Sequence, residues 1–298
     1  MEHLVEVALR WGDMDAQAHV NNATYVDYLQ EARADFLLRG PNRHMLGGGV
    51  VVVGHSIEFL RPVVFSTEPL QVQVQVTEVG ASRFRLAYEL RHEGAAVARA
   101  RTTLCPFDFE QQRPRRLTRA ERDWFAQVTV PVEPQRPLEA PALRGAGLVH
   151  SFCVRWSDLD AYGHVNNVRY FDYLQEARIA MTTALDPSMA RAGSLLEDGS
   201  QAGTDQQMWL VARQDVDYVV QTDHRLEPYH VTTAPVQLGS SSIVLAAEVT
   251  DPLRSHGDGS GLVLARGRTV LVCADAQGRP QPLPQATREA LSQHLVTG

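Results

Sequence analysis

Lysine is absent from this chain of 298 residues; all 28 of its Lys and Arg positions are arginine. That excludes any chemistry built on a catalytic lysine or on the lysine of a phosphate-binding loop, so Gly47-Gly48-Gly49 reads as a plain loop. Cysteine is scarce. Cys105, Cys153 and Cys273 are odd in number and unclustered, which implies neither a disulfide framework nor a zinc site. Cys105 and Cys153 are expected in the core. No stretch approaches the roughly 18 apolar residues of a membrane span, and the N-terminus shows no basic region followed by an apolar run. A reduced cytoplasm is the expected location. The formal net charge of −7 argues against a general nucleic-acid surface, though a local arginine cluster remains open to a polyanionic ligand.

What is present is a repeat. Residues 10–33 read RWGDMDAQAHVNNATYVDYLQEAR, and residues 155–178 read RWSDLDAYGHVNNVRYFDYLQEAR. Seventeen of these 24 positions are identical, among them the two Asp ahead of the His, the His itself and an Asn pair. A chain of this length holds about two domains, and the repeat turns that prior into a count. Each domain is expected to carry one copy of one site. The expected boundaries are 1–128 for the first domain, 129–146 for a Pro-rich linker and 147–298 for the second. With Pro131, Pro134, Pro137 and Pro141, the linker reads as an extended spacer.

Hydrophobic spacing gives the elements. A short strand near 4–11 leads through a polar loop into a helix. Tyr25, Tyr28, Leu29, Ala32 and Phe36 form one apolar stripe at helical period. Asn21 or Asn22 is the expected N-cap, and Gly40-Pro41 the stop. Four strands follow, near 50–59, 70–76, 84–90 and 95–107. Residues 70–76 alternate strictly, as a strand with one wet face does. A short helix near 118–128 ends the copy. The second copy repeats this order, with the stripe Tyr170, Tyr173, Leu174, Ala177 and Met181. Two polar insertions, near 186–206 and 251–261, read as surface loops; the first falls where a lid could sit.

One strand, one long helix and four antiparallel strands is the order of a sheet wrapped around a helix. With Asp-x-Asp-x-x-x-His-Val-Asn-Asn-x-x-Tyr before that helix, each copy resembles a hotdog-fold acyl thioesterase of the 4-hydroxybenzoyl-CoA and long-chain acyl-CoA thioesterase group. The second copy, Trp156-Ser-Asp-Leu-Asp with His164-Val-Asn-Asn-Val-Arg-Tyr170, also resembles plant acyl-ACP thioesterases. The resemblance implies an α+β fold of two tandem hotdog domains. It also implies that Asp15 and Asp160 do the chemistry, by activating water or by direct attack. Backbone N–H groups near Asn22 and Asn167 are implied to polarise the thioester carbonyl. His19 and His164 match the histidine thought to be catalytic in the acyl-ACP branch. That branch places an Asn two residues earlier, where this chain has Gln17 and Tyr162, a departure that favours an Asp-centred mechanism.

Blander roles compete for the same residues. Asp13 and Asp158 suit loop fixing against Arg10 and Arg155. Capping fits the Asn pairs, and loop anchoring fits the histidines. Tyr25 and Tyr170, on the apolar stripe, suit core or acyl-pocket lining better than chemistry. Arg61, Arg83 and Arg85 are candidate phosphate contacts or plain solvated charge.

The expected function is hydrolysis of acyl-CoA or acyl-ACP without metal or cofactor, with no nucleic acid or membrane partner and with pairing of two chains. A non-catalytic acyl-CoA-binding protein is the alternative. A hydratase or dehydratase fits less well, because its Asp-x-Asn-Pro-x-His spacing is not matched by Asp15 to His19.

Overall fold

The computed structural model describes residues 3–190, 207–255, 261–275 and 277–297. The chain divides into two units, Met1–Pro137 and Leu138–Gly298.

The first unit runs β1 (His3–Val7), α1 (Thr24–Arg39), α2 (His44–Gly48), β2 (Val50–Phe59), β3 (Leu70–Val79), β4 (Phe84–His92), β5 (Ala95–Asp108), β6 (Arg113–Pro114) and α3 (Arg119–Gln127). Its sheet has the order β1-β3-β4-β5-β2 and is antiparallel throughout, with β6 beside β5. Alternation decides which face is buried. Leu70, Val72, Val74 and Val76 are at most 1% exposed, while Gln71, Gln73 and Gln75 between them are half-buried. Register aligns Val72 with Leu90, Val74 with Tyr88 and Val76 with Leu86 across the β3–β4 pair. Helix α1 packs on β1 and β3. All five residues of its stripe, Tyr25, Tyr28, Leu29, Ala32 and Phe36, are buried. Each fully buried side chain of leucine size contributes about 1.5–3 kcal/mol, so the stripe is what holds α1 in place.

Two local expectations are corrected here. Helix α1 begins at Thr24 rather than at an Asn cap. Instead, Asn21 makes a turn in which its Oδ1 accepts the Ala23 amide at 2.9 Å and its carbonyl accepts the Thr24 amide at 2.9 Å. The second Asn pair behaves alike. Gly47 and Gly48 lie in the short helix α2 rather than in a loop, and Gly49 ends it with φ 102°. A Cβ at Gly49 would stand 2.3 Å from the Phe107 carbonyl oxygen, so only glycine fits there.

The Pro-rich segment is strapped down. The Val130 amide donates to the Val76 carbonyl at 2.8 Å, Arg101 reaches the Glu133 carbonyl, and Gln135 donates to Glu58 at 2.9 Å. Further on, Leu143 is buried against Ala234 and Ala246.

The second unit runs β7 (Leu148–Phe152), α4 (Arg169–Leu185), β8 (Met208–Tyr218), β9 (Tyr229–Leu238), β10 (Ser242–Ser255), β11 (Gly261–Ala274) and α5 (Gln285–Ser292). Its sheet order, β7-β9-β10-β11-β8, repeats that of the first unit strand for strand. Helix α4 packs on β7 and β9 with its stripe Tyr170, Tyr173, Leu174, Ala177 and Met181 buried. At Gly267 on β11 a Cβ would meet the Leu174 methyl carbons at 2.9 and 3.0 Å, so this glycine lets the helix close on the sheet. Helix α5 answers α3 at the end of the second copy. The Leu117 amide before α3 donates to Ala81, and the Leu283 amide before α5 donates to Ser240, both at 2.9 Å.

Each unit is therefore an antiparallel sheet with one long helix on it, an α+β hotdog. Cys105 and Cys273 are buried, but Cys153 is exposed, against expectation, because it follows the last residue of β7 where the chain leaves the sheet. Of the two polar insertions, 191–206 and 256–260 lie outside the described residues. No described helix is long and apolar enough to cross a membrane.

Candidate active site

In each unit the chain leaves its first strand through a single 3-10 turn, Trp11–Asp13 or Trp156–Asp158. The first Asp of the motif is a latch. Asp13 accepts the Arg10 amide at 3.0 Å, the Arg10 guanidinium at 2.8–2.9 Å and the Tyr28 hydroxyl at 2.7 Å. Burial alone would raise its carboxyl, but these hydrogen bonds outweigh burial and hold it below the usual carboxylate range. Asp158 accepts the Arg155 amide at 2.8 Å and the Tyr173 hydroxyl at 2.7 Å. Both tyrosines sit on the stripe, so the latch ties turn to helix. In the first copy it engages both carboxylate oxygens of Asp13; in the second both bonds fall on Asp158 Oδ2.

The second Asp is held differently. The Asp15 amide donates to the His19 carbonyl at 2.8 Å, and the Ala18 amide donates back to the Asp15 carbonyl at 3.0 Å. The same pair closes the second copy, Asp160 to His164 at 2.9 Å and Gly163 to Asp160 at 3.0 Å. Asp and His thus stand at the two ends of one closed turn. The turn requires a left-handed residue, supplied by Ala18 (φ 59°) in the first copy and by Gly163 (φ 80°) in the second. Within it, Asp15 Oδ1 accepts the Gln17 amide at 2.8 Å, and Asp160 Oδ1 accepts the Tyr162 amide at 2.9 Å. One oxygen fixes the rotamer. The other, Oδ2, has no hydrogen bond among the described residues in either copy.

Next comes the start of the long helix. The Asn21 amide donates to the Asp13 carbonyl and the Asn166 amide to the Asp158 carbonyl, both at 2.8 Å, which seats the Asn pair directly after the carboxylate turn. The Asn22 amide has no acceptor among the described residues. It stands at the positive end of α1, where an unpaired N–H favours negative charge. His19 and His164 are half-buried. Tyr25 and Tyr170 are buried in the first turn of their helices, each edge-on to an aromatic ring of the neighbouring strand, Phe59 at 5.3 Å and Tyr218 at 5.1 Å.

The structure therefore brings Asp15, His19, Asn22 and Tyr25 into one stretch, and Asp160, His164, Asn167 and Tyr170 into another. It does not draw in the candidate arginines as a group. Arg85 is paired with Glu78 at 2.7 Å, and Arg61 and Arg83 are exposed. No group of His, Cys, Asp and Glu among the described residues is arranged to hold a metal.

Sequence reasoning missed the partners of the two tyrosines. The Tyr170 hydroxyl is 2.6 Å from Thr222 Oγ1, and the Tyr218 hydroxyl donates to the Asn167 carbonyl at 2.6 Å. The matching positions in the first copy are Val63 and Phe59: the Val20 amide donates to Val63 O as the Val165 amide donates to Thr222 O. Neither Val63 nor Phe59 has a hydroxyl to offer. The alignment of residues 57–59 with 216–218 is visible in the sequence; which hydroxyl meets which backbone group is not.

Comparison with known proteins covers both copies. The chain is 29% identical over 128 residues to the long-chain acyl-CoA thioesterase FadM of Escherichia coli (strain K12), spanning 41% of this chain and 96% of that protein. Over most of its length it superposes on an acyl-ACP thioesterase from Bacteroides thetaiotaomicron VPI-5482, with TM-score 0.64, 12% identity, and 91% of this chain and 97% of that chain covered. A 12:0-ACP thioesterase from Umbellularia californica gives TM-score 0.65 at 16% identity, again covering 91% and 97%. Those two likenesses speak to the fold. A family model decides membership, matching residues 9–135 and again 154–291, one match per unit. The chain belongs to the thioesterase-like superfamily.

Proposed function

We propose that this protein hydrolyses acyl thioesters, with acyl-CoA as the leading substrate class and acyl-ACP as the alternative carrier. The observation that carries the reading is the unspent hydrogen-bonding capacity at one helix start. Asp15 Oδ2 lacks a donor and the Asn22 amide lacks an acceptor among the described residues, within eight residues of each other. Thioester hydrolysis needs a base beside the carbonyl and a donor for the oxyanion that develops. Asp15 supplies the first and Asn22 the second; Asp160 and Asn167 are assigned the same roles.

The step balances without a metal or cofactor. Asp15 takes a proton from water as the water oxygen bonds to the carbonyl carbon. The Asn22 amide, aided by the helix dipole, stabilises the oxyanion. The C–S bond then breaks, and the departing thiolate takes the proton back from the Asp15 carboxyl. The products are a thiol and a carboxylic acid. His19 and His164 anchor the carboxylate turn in this reading, since their carbonyls close it. The chain is placed in the cytoplasm, and a pair of chains is the expected assembly.

The test is thiol release from short, medium and long acyl-CoAs and from an acyl-ACP, by the unmodified chain and by the double variant Asp15→Asn, Asp160→Asn. Asn keeps the shape and the turn-closing oxygen but is no base. The double variant is expected to stay folded and to lose at least about 100-fold in kcat. A folded double variant with unmodified turnover would sink the assignment.

A further inference from the structure

The hydroxyl of Tyr25 stands out. Tyr25 is 2% exposed, on the first turn of α1, and its ring is held edge-on by Phe59 at 5.3 Å and Tyr28 at 6.1 Å. Its hydroxyl has no hydrogen-bond partner among the described residues. It is not one of the fully enclosed polar atoms that lack a partner, so water can reach it. In the second copy the same hydroxyl is spent, 2.6 Å from Thr222 Oγ1. The backbone frame is the same in both copies, since Val63 and Thr222 accept equivalent amides from Val20 and Val165. One side chain makes the difference: valine offers no oxygen where threonine does.

We propose that the Tyr25 hydroxyl holds the attacking water against Asp15, and that it is available for this only because Val63 stands where the second copy has Thr222. Tyr25 is then a positioning residue of the first site, without an equivalent in the second. This rests on the thioesterase reading above. The chemistry is unchanged: water loses its proton to Asp15 and the thiolate recovers it, while Tyr25 neither gains nor loses a proton. It serves as a fixed dipole that confines the water. Burial first, and then the nearby negative charge of Asp15, push the phenol above its usual range, so it stays a neutral hydroxyl. Asp15 Oδ1 is already tied to the Gln17 amide at 2.8 Å, which leaves Oδ2 to share the water with Tyr25.

The two copies are separated by working in the Asp160→Asn background, where only the first site turns over. There Tyr25→Phe is expected to lower kcat at least about 10-fold, with KM within about twofold and the melting temperature unchanged, the pattern of an interaction made in the transition state rather than in binding. Val63→Thr keeps the tyrosine but gives its hydroxyl the partner that Tyr170 has. It is expected to lower kcat by about 3- to 10-fold without loss of melting temperature, an effect that a merely structural tyrosine would not show. If Val63→Thr leaves kcat unchanged, the inference is overturned even where Tyr25→Phe weakens the fold. It is equally overturned if Tyr25→Phe keeps kcat within about twofold of its parent. The same holds if the Asp160→Asn parent is inactive on a thioester that the unmodified chain hydrolyses. In all three results the thioesterase reading stands. Absence of thiol release by the unmodified chain from every acyl-CoA and acyl-ACP would sink that reading, and the inference with it.

Discussion

The two halves of this chain place the same motif on the same backbone and then finish it differently. The latch is common to both: Tyr28 to Asp13 and Tyr173 to Asp158, each at 2.7 Å. The carboxylate turn is common too, closed by Asp15 to His19 at 2.8 Å and Asp160 to His164 at 2.9 Å. Around this frame the first copy has Ala18, Phe59 and Val63, and the second has Gly163, Tyr218 and Thr222. The second copy therefore spends its hydroxyls internally, with Tyr170 on Thr222 and Tyr218 on the Asn167 carbonyl. The helices that follow the last long strands diverge as well. Glu121 on α3 is buried and paired with Arg115 at 2.8 and 2.9 Å, while Thr287 holds the matching place on α5 and bonds to Asp186. A duplicated motif fixes a turn; the strands that pack beside it set how its polar groups are used.

The largest test of this comparison is catalytic. Asp15→Asn and Asp160→Asn, made singly, divide the turnover between the copies. Equal sites leave about half the activity in each single variant and at least about 100-fold less in the double. A pronounced inequality in kcat between the singles would show that the neighbouring strands, and not the motif, set the rate of each copy.

Stability separates the halves next. Glu121 is lowered to about 2 from its ordinary 4.5; burial acts to raise it, but hydrogen bonds from Arg115, the Thr118 amide and His44 prevail. A depressed carboxyl stabilises the fold above its unfolded pKa, and that contribution is lost as pH falls from about 4.5 to about 2. Glu121→Gln is expected to cost about 3 kcal/mol near neutral pH, by leaving Arg115 without its charge partner. It should also shrink the loss of stability across that acid window. Melting curves from pH 7 to pH 2 check both; an unchanged acid profile would show that the pair contributes nothing to the first unit.

A smaller effect belongs to Thr222→Val. It removes the partner of the Tyr170 hydroxyl and is expected to cost about 1 kcal/mol, the net worth of one buried hydrogen bond. Denaturant unfolding measures it. A change in slope rather than midpoint would mean that the variant altered more than this bond.

An effect of similar size concerns the left-handed residue of the turn. Ala18→Gly should relieve φ strain in the first copy, and Gly163→Ala should introduce it in the second, each by about 1 kcal/mol and with opposite sign. If both variants destabilise the chain, the turn is not the strained element that φ 59° at Ala18 suggests.

Much of this fold is legible in the amino-acid order. Alternation over 70–76 sets β3, and the stripe from Tyr25 to Phe36 sets the buried face of α1, because side-chain period alone decides which residues share a face. The repeat establishes the number of units, and the family resemblance of its motif points to Asp15 and Asp160. Boundaries are less legible. The helix starts at Thr24 and not at the Asn pair, since Asn21 uses its side chain to close a turn first. The Gly47-Gly48 pair gives no sign of α2, because glycine permits a helical turn without favouring one.

The sequence by itself determined the duplication, the element order in each copy and the residues of the carboxylate turn, all of which depend on near neighbours in the chain. Only the tertiary structure decided that Asp13 is a latch and Asp15 is available, since Tyr28 reaches Asp13 from 15 residues away. Only it decided that Thr222 meets Tyr170 across 52 residues while Val63 leaves Tyr25 unpaired among the described residues. Hydrogen bonds between residues far apart in the chain depend on how strands align beside the helix, and sheet register brings those residues together without any local signature in the amino-acid order.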